Sequence, residues 1–187
     1  MADDSLTRYF RAMARNNAWS NYRLFEACAP LTPAELAAPR VSFFPSLSLT
    51  LNHIRFVDEF YLDALEGRPR AFTEDAVETT VAGLRATQEA ADRRLIALCD
   101  ALQPESLGRS VKLIRDADNV LVERTDRTFA HLFTHQIHHR GQVHAMLSGT
   151  SIAPPQLDEF LLATDAALRS ADLAALGFDE QQIWPAD

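Results

Sequence analysis

The sequence predicts an all-α fold: four long helices packed as a bundle, a small β-hairpin inserted before the fourth, and a further helix near the C-terminus. Three observations lead there. Apolar residues recur at spacings of three and four over long stretches, and strand-like alternation is confined to one short segment. The chain has 187 residues and 47% hydrophobic content, enough to bury one substantial core, as single domains of ~100–200 residues do. The chain is therefore read as one domain over 1–187, with its core at about 5–170 and a docking tail at 171–187.

From Ser5 to Ala29, the residues Leu6, Phe10, Met13, Leu24, Phe25 and Cys28 form an amphipathic helix stopped by Pro30. Thr32-Pro33-Ala34-Glu35 reads as a short helical connector, with a capping threonine, proline at the first position and glutamate three residues after the cap. A second long helix fits Ser46 to Leu65, where Leu49, His53, Phe56, Val57 and Phe60 build one stripe and Gly67 with Pro69 ends it. A third fits Glu74 to Leu102. Thr73 opens it, Glu74 and Asp75 suit the helix dipole in its first turn, and it closes before Pro104.

Between Arg109 and Arg124 the period shortens. Val111 and Leu113, then Val120 and Val122, flank the polar Asp116-Ala117-Asp118-Asn119 and predict a hairpin. Helix resumes at Asp126 and runs to about Ser148, capped by Thr125 and ended by Gly149. A final helix is expected from about Gln156 to Ser170, after Pro154-Pro155. The tail that follows, with Leu173, Leu176, Phe178, Ile183 and Trp184, docks on the bundle or on a partner subunit.

Charge narrows the function. The formal net charge is -8, which repels nucleic-acid phosphate, and no basic stripe offsets it. No apolar run approaches the ~20 residues of a membrane span, and the acidic N-terminus lacks signal-peptide order, so a cytoplasmic location without membrane partners is expected. Cys28 and Cys99 lie far apart among apolar residues and read as buried small hydrophobes.

The six histidines are spread unevenly: five fall within residues 131–144 and the sixth, His53, stands alone. On a helical wheel with ~100° per residue and His135 at zero, His139 lies near +40°, His131 near -40°, Gln142 near -20° and His138 near -60°. His144 points the opposite way and reads as a solvated bystander. Leu132, Met146 and Phe129 share or flank the histidine face, so these imidazoles look toward the interior. Burying unpaired imidazoles costs ~1–3 kcal/mol for each unsatisfied group, a cost that a metal ion relieves. His135 and His139 make an i, i+4 clamp, and His53 is the one histidine outside the cluster that can complete it. Three imidazoles leave a coordination position open for water or substrate. The ligand set alone fits zinc, nickel, iron or copper; the cofactor expected is one divalent ion, zinc or nickel foremost, with iron, copper or manganese admissible.

The segment His131-Leu-Phe-Thr-His135-Gln-Ile-His138-His139-Arg140-Gly141-Gln142, with Leu51-Asn52-His53 and Asn17-Ala18-Trp19-Ser20-Asn21 upstream, resembles the DinB/YfiT-like family of bacterial metal-binding four-helix bundles. The resemblance implies a bundle with a long crossover, frequent homodimers, and a metal held by one histidine of the second helix and two of the fourth. Carried over, these are His53, His135 and His139, the residues the wheel and the ligand count also select. His131 and His138 become pocket residues, Gln142 a group able to hold a bound water, and Asn17, Asn21, Trp19 or Tyr22 the lining of a pocket. Arg140 and Gly141 lie off the ligand face and read as packing or interface residues. Members with known activity look like metal-dependent transferases and isomerases that use a low-molecular-weight thiol. The implied function is activation of such a thiol, as co-substrate, for attack on a small electrophile, or a related hydrolysis, with His138, Gln142 and Asn17 as catalytic candidates. The competing readings are a metal-binding stress or storage protein without turnover, and a structural dimer whose histidines only hydrogen-bond in the core.

Overall fold

Capping side chains and prolines set several of the helix ends in the computed structural model, which describes residues 4–69, 77–116 and 118–184. Helix α1 (Ser5–Cys28) stops before Pro30. Helix α2 (Pro33–Ala37) has the expected capping box, with the Glu35 backbone N–H donating to Thr32 Oγ1 at 3.2 Å and the Thr32 backbone N–H to Glu35 Oε2 at 2.8 Å. Ser46 caps α3 (Leu47–Leu65) by accepting from the Leu49 N–H at 3.2 Å, and Gly67 leaves the helix at φ 69°, a left-handed value that glycine adopts without a Cβ clash.

Three expected boundaries shift. Helix α4 (Val81–Asp100) is capped by Thr80, whose hydroxyl accepts from the Gly83 N–H at 3.1 Å. The expected start at Thr73, Glu74 and Asp75 lies outside the described residues, and 77–80 are not helical. After the hairpin of β1 (Ser110–Asp116) and β2 (Asn119–Arg124), helix α5 (Thr125–Leu147) starts one residue early. Thr125 is its first helical residue instead of its cap, and its hydroxyl donates to the Arg109 carbonyl at 3.0 Å, tying the helix start to the hairpin base. The last helix, α6 (Ala166–Leu176), begins ten residues after Gln156 and ends at Gly177. The Pro154-Pro155 segment continues as irregular chain because Phe160 and the Leu162 carbonyl are held by tertiary contacts described below.

The described residues are mostly helical, with six α-helices and one antiparallel two-stranded hairpin. Its register pairs Val111 with Glu123 and Leu113 with Leu121. Val111 and Leu113 point inward and are buried, while Ile114, Val120, Leu121 and Val122 are exposed. Helix α1 packs on α4 and α5, α3 packs on α4 and α5, and β1 lies against α3.

The interior is stratified along the long helices. One apolar cluster contains Phe10, Met13, Leu62, Leu95, Phe129 and Phe133 and takes in the hairpin residues Val111 and Leu113. Another contains Leu24, Phe25, Leu51, Ile54, Leu84, Val143 and Leu147. Between them every long helix contributes buried polar groups: Asn17 and Asn21 from α1, Asp58 from α3, Gln88 and Asp92 from α4, Gln136 and Arg140 from α5. Asn17, Asn21 and Gln88 donate to Asp92 at 2.9–3.3 Å. Gln88 also donates to Asp58 at 2.7 Å, and Arg140 donates to Asn17, to Asn21 and to Gln136. Buried polar groups cost little only when paired in this way.

The C-terminal segment docks on the helical core of its own chain. Trp19 of α1 is fully buried, packs against Phe160 with the rings tilted at 46° and 5.3 Å apart, and donates its indole N–H to Asp172 at 3.0 Å. Leu173 and Ile183 join the same cluster, and buried Arg169 donates to the Leu162 carbonyl and pairs with Glu180. No described helix is long and apolar enough to cross a membrane.

Candidate metal centre

Two adjacent helices supply the centre. His53 lies on α3, and His135 and His139, about one turn apart on α5, face it because the two helices pack side by side. One candidate ligand atom from each imidazole lies within 4.8 Å of the other two. His135 Nε2 and His53 Nε2 are 3.0 Å apart. Two nitrogens that each bind one ion at ~2.0–2.1 Å stand about 2.9–3.4 Å apart, so this pair has the spacing that a shared ion requires.

The ionisation of the cluster favours ligation. Desolvation, reinforced by the neighbouring imidazoles, pushes His135 down to about 3. Desolvation also lowers His139, opposed by its hydrogen bond to Gln142. Both rings are therefore neutral near pH 7, the form whose lone pair binds a metal. His139 Nδ1–H donates to Gln142 Oε1 at 2.8 Å, which leaves Nε2 of His139 with its lone pair. The Gln142 amide in turn donates to His138 Nε2 at 3.1 Å. Buried His135 Nδ1 has no hydrogen-bond partner among the described residues.

The three imidazoles open onto a cavity of about 870 Å³ lined by Phe43, Phe44, Phe56 and Phe60. The Phe44 ring sits 4.3 Å from His53 and 5.7 Å from His139, forming an apolar wall beside the nitrogens.

Comparison with known proteins adds an independent line. A family model described as "DinB family" matches residues 1–171. The chain belongs to the DinB family. It is also 26% identical over 157 residues to "Protein DinB" of Bacillus subtilis (strain 168), an alignment that covers 79% of this chain and 91% of that relative.

Within this DinB-family chain the other sequence candidates fall in different places. His131 and His138 lie exposed on the cavity rim, their rings 6.4 Å from His135 and 4.8 Å from His139 respectively. They do not look into the interior as the wheel suggested, because the buried face of α5 centres on Gln136, Val143 and Arg140, ~80–140° round from His135. The histidine stripe flanks that face. His144 is half-buried, with Nε2 donating to the Pro155 carbonyl at 3.1 Å, so it is not solvated, and it is absent from the cavity lining. Asn17 belongs to the buried polar layer and not to this cavity, Trp19 is sealed under the C-terminal segment, and Asn21 and Tyr22 line a separate cavity of about 400 Å³. Arg140 is a packing residue of an unexpected kind: it is buried as the cation of the polar layer.

Sequence reasoning missed Phe43 and Phe44, which lie in the irregular segment between Pro39 and Pro45, and Tyr61 and Arg115 at the far side of the cavity. An aromatic pair bracketed by prolines was a readable signal for the first two. Nothing in the pattern of the hairpin distinguished Arg115. Both cysteines are buried and free, and burial raises Cys28 to about 12 and Cys99 still further, so neither presents a thiolate near neutral pH.

Proposed function

We propose that His53, His135 and His139 hold one divalent metal ion, zinc or nickel foremost, and that the cavity beside them activates a low-molecular-weight thiol for attack on a small electrophile. The observation that carries the reading is the convergence of three imidazoles from α3 and α5 on one point at the mouth of a cavity. Family membership supports it. We also read the packing of the four long helices as a four-helix bundle forming one domain, and the assembly as a homodimer, which light scattering checks.

A divalent ion on three imidazoles would supply Lewis acidity, lowering the pKa of a thiol or water placed at an open coordination position. The chain's own residues do the rest. Gln142 fixes the His139 tautomer and holds His138 at the rim. Phe44 and its aromatic neighbours exclude water from one side of the centre, which strengthens electrostatic interactions within it. In the transfer, the thiol sulfur forms a bond to the electrophilic carbon. The leaving group departs with its bonding pair, and the thiol proton passes to solvent through the cavity mouth. No cysteine of the chain is needed as nucleophile.

The test is elemental analysis of untagged protein combined with a thiol-by-electrophile activity screen on wild type and His53→Ala. One metal per chain and turnover in wild type, with both lost in the variant, is the expected result. Tight metal with no turnover across the screen would favour the non-catalytic alternative, and wild-type protein without metal would overturn the reading.

A further inference from the structure

The hairpin carries a residue that the metal centre leaves unused. Arg115, near the end of β1, lines the histidine cavity, and its guanidinium donates to the phenol oxygen of Tyr61. Tyr61 is buried on α3, about two turns beyond His53, and its ring lies 5.3 Å from that of His131. Because β1 packs on α3, the hairpin forms a wall of the cavity opposite the Phe43 and Phe44 segment.

Charge distribution gives this placement meaning. The chain as a whole carries -8. Yet among the described residues lining this cavity none is Asp or Glu, and Arg115 is the one Lys or Arg. A described lining that is aromatic-walled, free of carboxylates and furnished with a guanidinium favours an anion over a cation.

We propose that Arg115 and Tyr61 form an anion subsite of this cavity, and that its small-molecule ligand carries a carboxylate on an apolar or aromatic body. This rests on the reading of the cavity as a small-molecule site. The planar guanidinium suits a carboxylate, which it engages through two parallel N–H donors. The phenol O–H is a third donor, and Phe56 and Phe60 offer the apolar wall. From Tyr61 to His135 there are two ring-to-ring steps, 5.3 Å to His131 and 6.4 Å onward. The anion is thus held at the opposite end of the cavity from the histidine centre, and one elongated ligand reaches both.

The probes are 4-phenylbutyrate and its uncharged counterpart 4-phenylbutan-1-ol, titrated calorimetrically into the full-length protein as purified. Wild type, Arg115→Met and Arg115→Lys are compared, with helix content and metal content measured for each. The carboxylate should bind wild type about tenfold more tightly than the alcohol, with the margin shrinking as salt is raised. Arg115→Met should bring the two probes level, Arg115→Lys should keep part of the preference, and metal content should be the same in all three. Equal binding of both probes by wild type would overturn the subsite. So would a preference that survives Arg115→Met, since the carboxylate would then be held by the metal. Failure of the metal reading is seen separately, as wild-type protein without metal, and the probe pair decides the subsite in that case too.

Discussion

At the residue scale the histidines divide by what their second nitrogen and their neighbours do. His53, His135 and His139 converge, while His144 is engaged by the Pro155 carbonyl on another side of α5. His135→Ala should therefore abolish stoichiometric metal binding, and His144→Ala should leave it intact; equal loss in both, read by elemental analysis after gel filtration, would sink the ligand set. Gln142 makes no proposed bond to the ion, yet it fixes the His139 ring through Nδ1. Gln142→Ala should weaken metal affinity by about tenfold without removing the site, measured by competition with a chelator of known affinity. The i, i+4 spacing made the clamp on α5 readable, and the solitary His53 was its evident complement. The buried side of that helix was not readable, since the wheel places Gln136 and Arg140 among apolar neighbours without revealing that a polar layer receives them.

At the element scale, helix ends followed the sequence wherever a local signal was unopposed. The Thr32 capping box and the Ser46 cap are backbone chemistry complete within four residues. Thr80 caps the described start of α4, its hydroxyl accepting from the Gly83 N–H. Thr80→Ala should destabilise the protein by about 1 kcal/mol in urea unfolding, whereas loss of an uninvolved surface hydroxyl would change it little. The boundary that moved furthest, the start of α6, moved for a nonlocal reason. Phe160 is drawn onto Trp19 and the Leu162 carbonyl onto Arg169, contacts that hold residues 156–162 out of helix.

At the scale of the whole molecule, the polar layer between two apolar clusters is the feature with the largest consequences for stability. Burial pushes Asp58 up to about 8 and Asp92 up to about 6, while burial also lowers Arg140 to about 10. Near pH 7 the layer then holds a protonated Asp58 beside an Asp92 and Arg140 pair of opposite charge. Unfolded Asp58 releases its proton near 3.8, so the native state holds one that the unfolded state has lost. The stability this contributes is complete below the unfolded value and disappears as pH rises through about 8. His135 acts in the opposite sense, but its contribution is restored by about pH 6.5, the unfolded histidine value. Metal-free protein should thus lose stability between pH 6.5 and 8, by on the order of 1–2 kcal/mol, and Asp58→Asn should flatten that slope. Denaturant midpoints across this range decide it; an unchanged slope in the variant would show that another group is responsible.

Local chemistry alone determined much of this protein: the long amphipathic helices, the hairpin between Arg109 and Arg124, the clamp spacing of His135 and His139, and the family string around them. Periodicity and capping act within a few residues, so they can be read along the chain. Only the tertiary structure decided which face of α5 is buried, that Asn17 and Arg140 meet Asp92 and Gln136 in a shared polar layer, that Phe160, Leu173 and Ile183 seal Trp19, and that Arg115 lines the same cavity as the histidines. Each of these depends on groups brought together from distant parts of the chain, and the free energy of burying or pairing them exists only once the helices have packed.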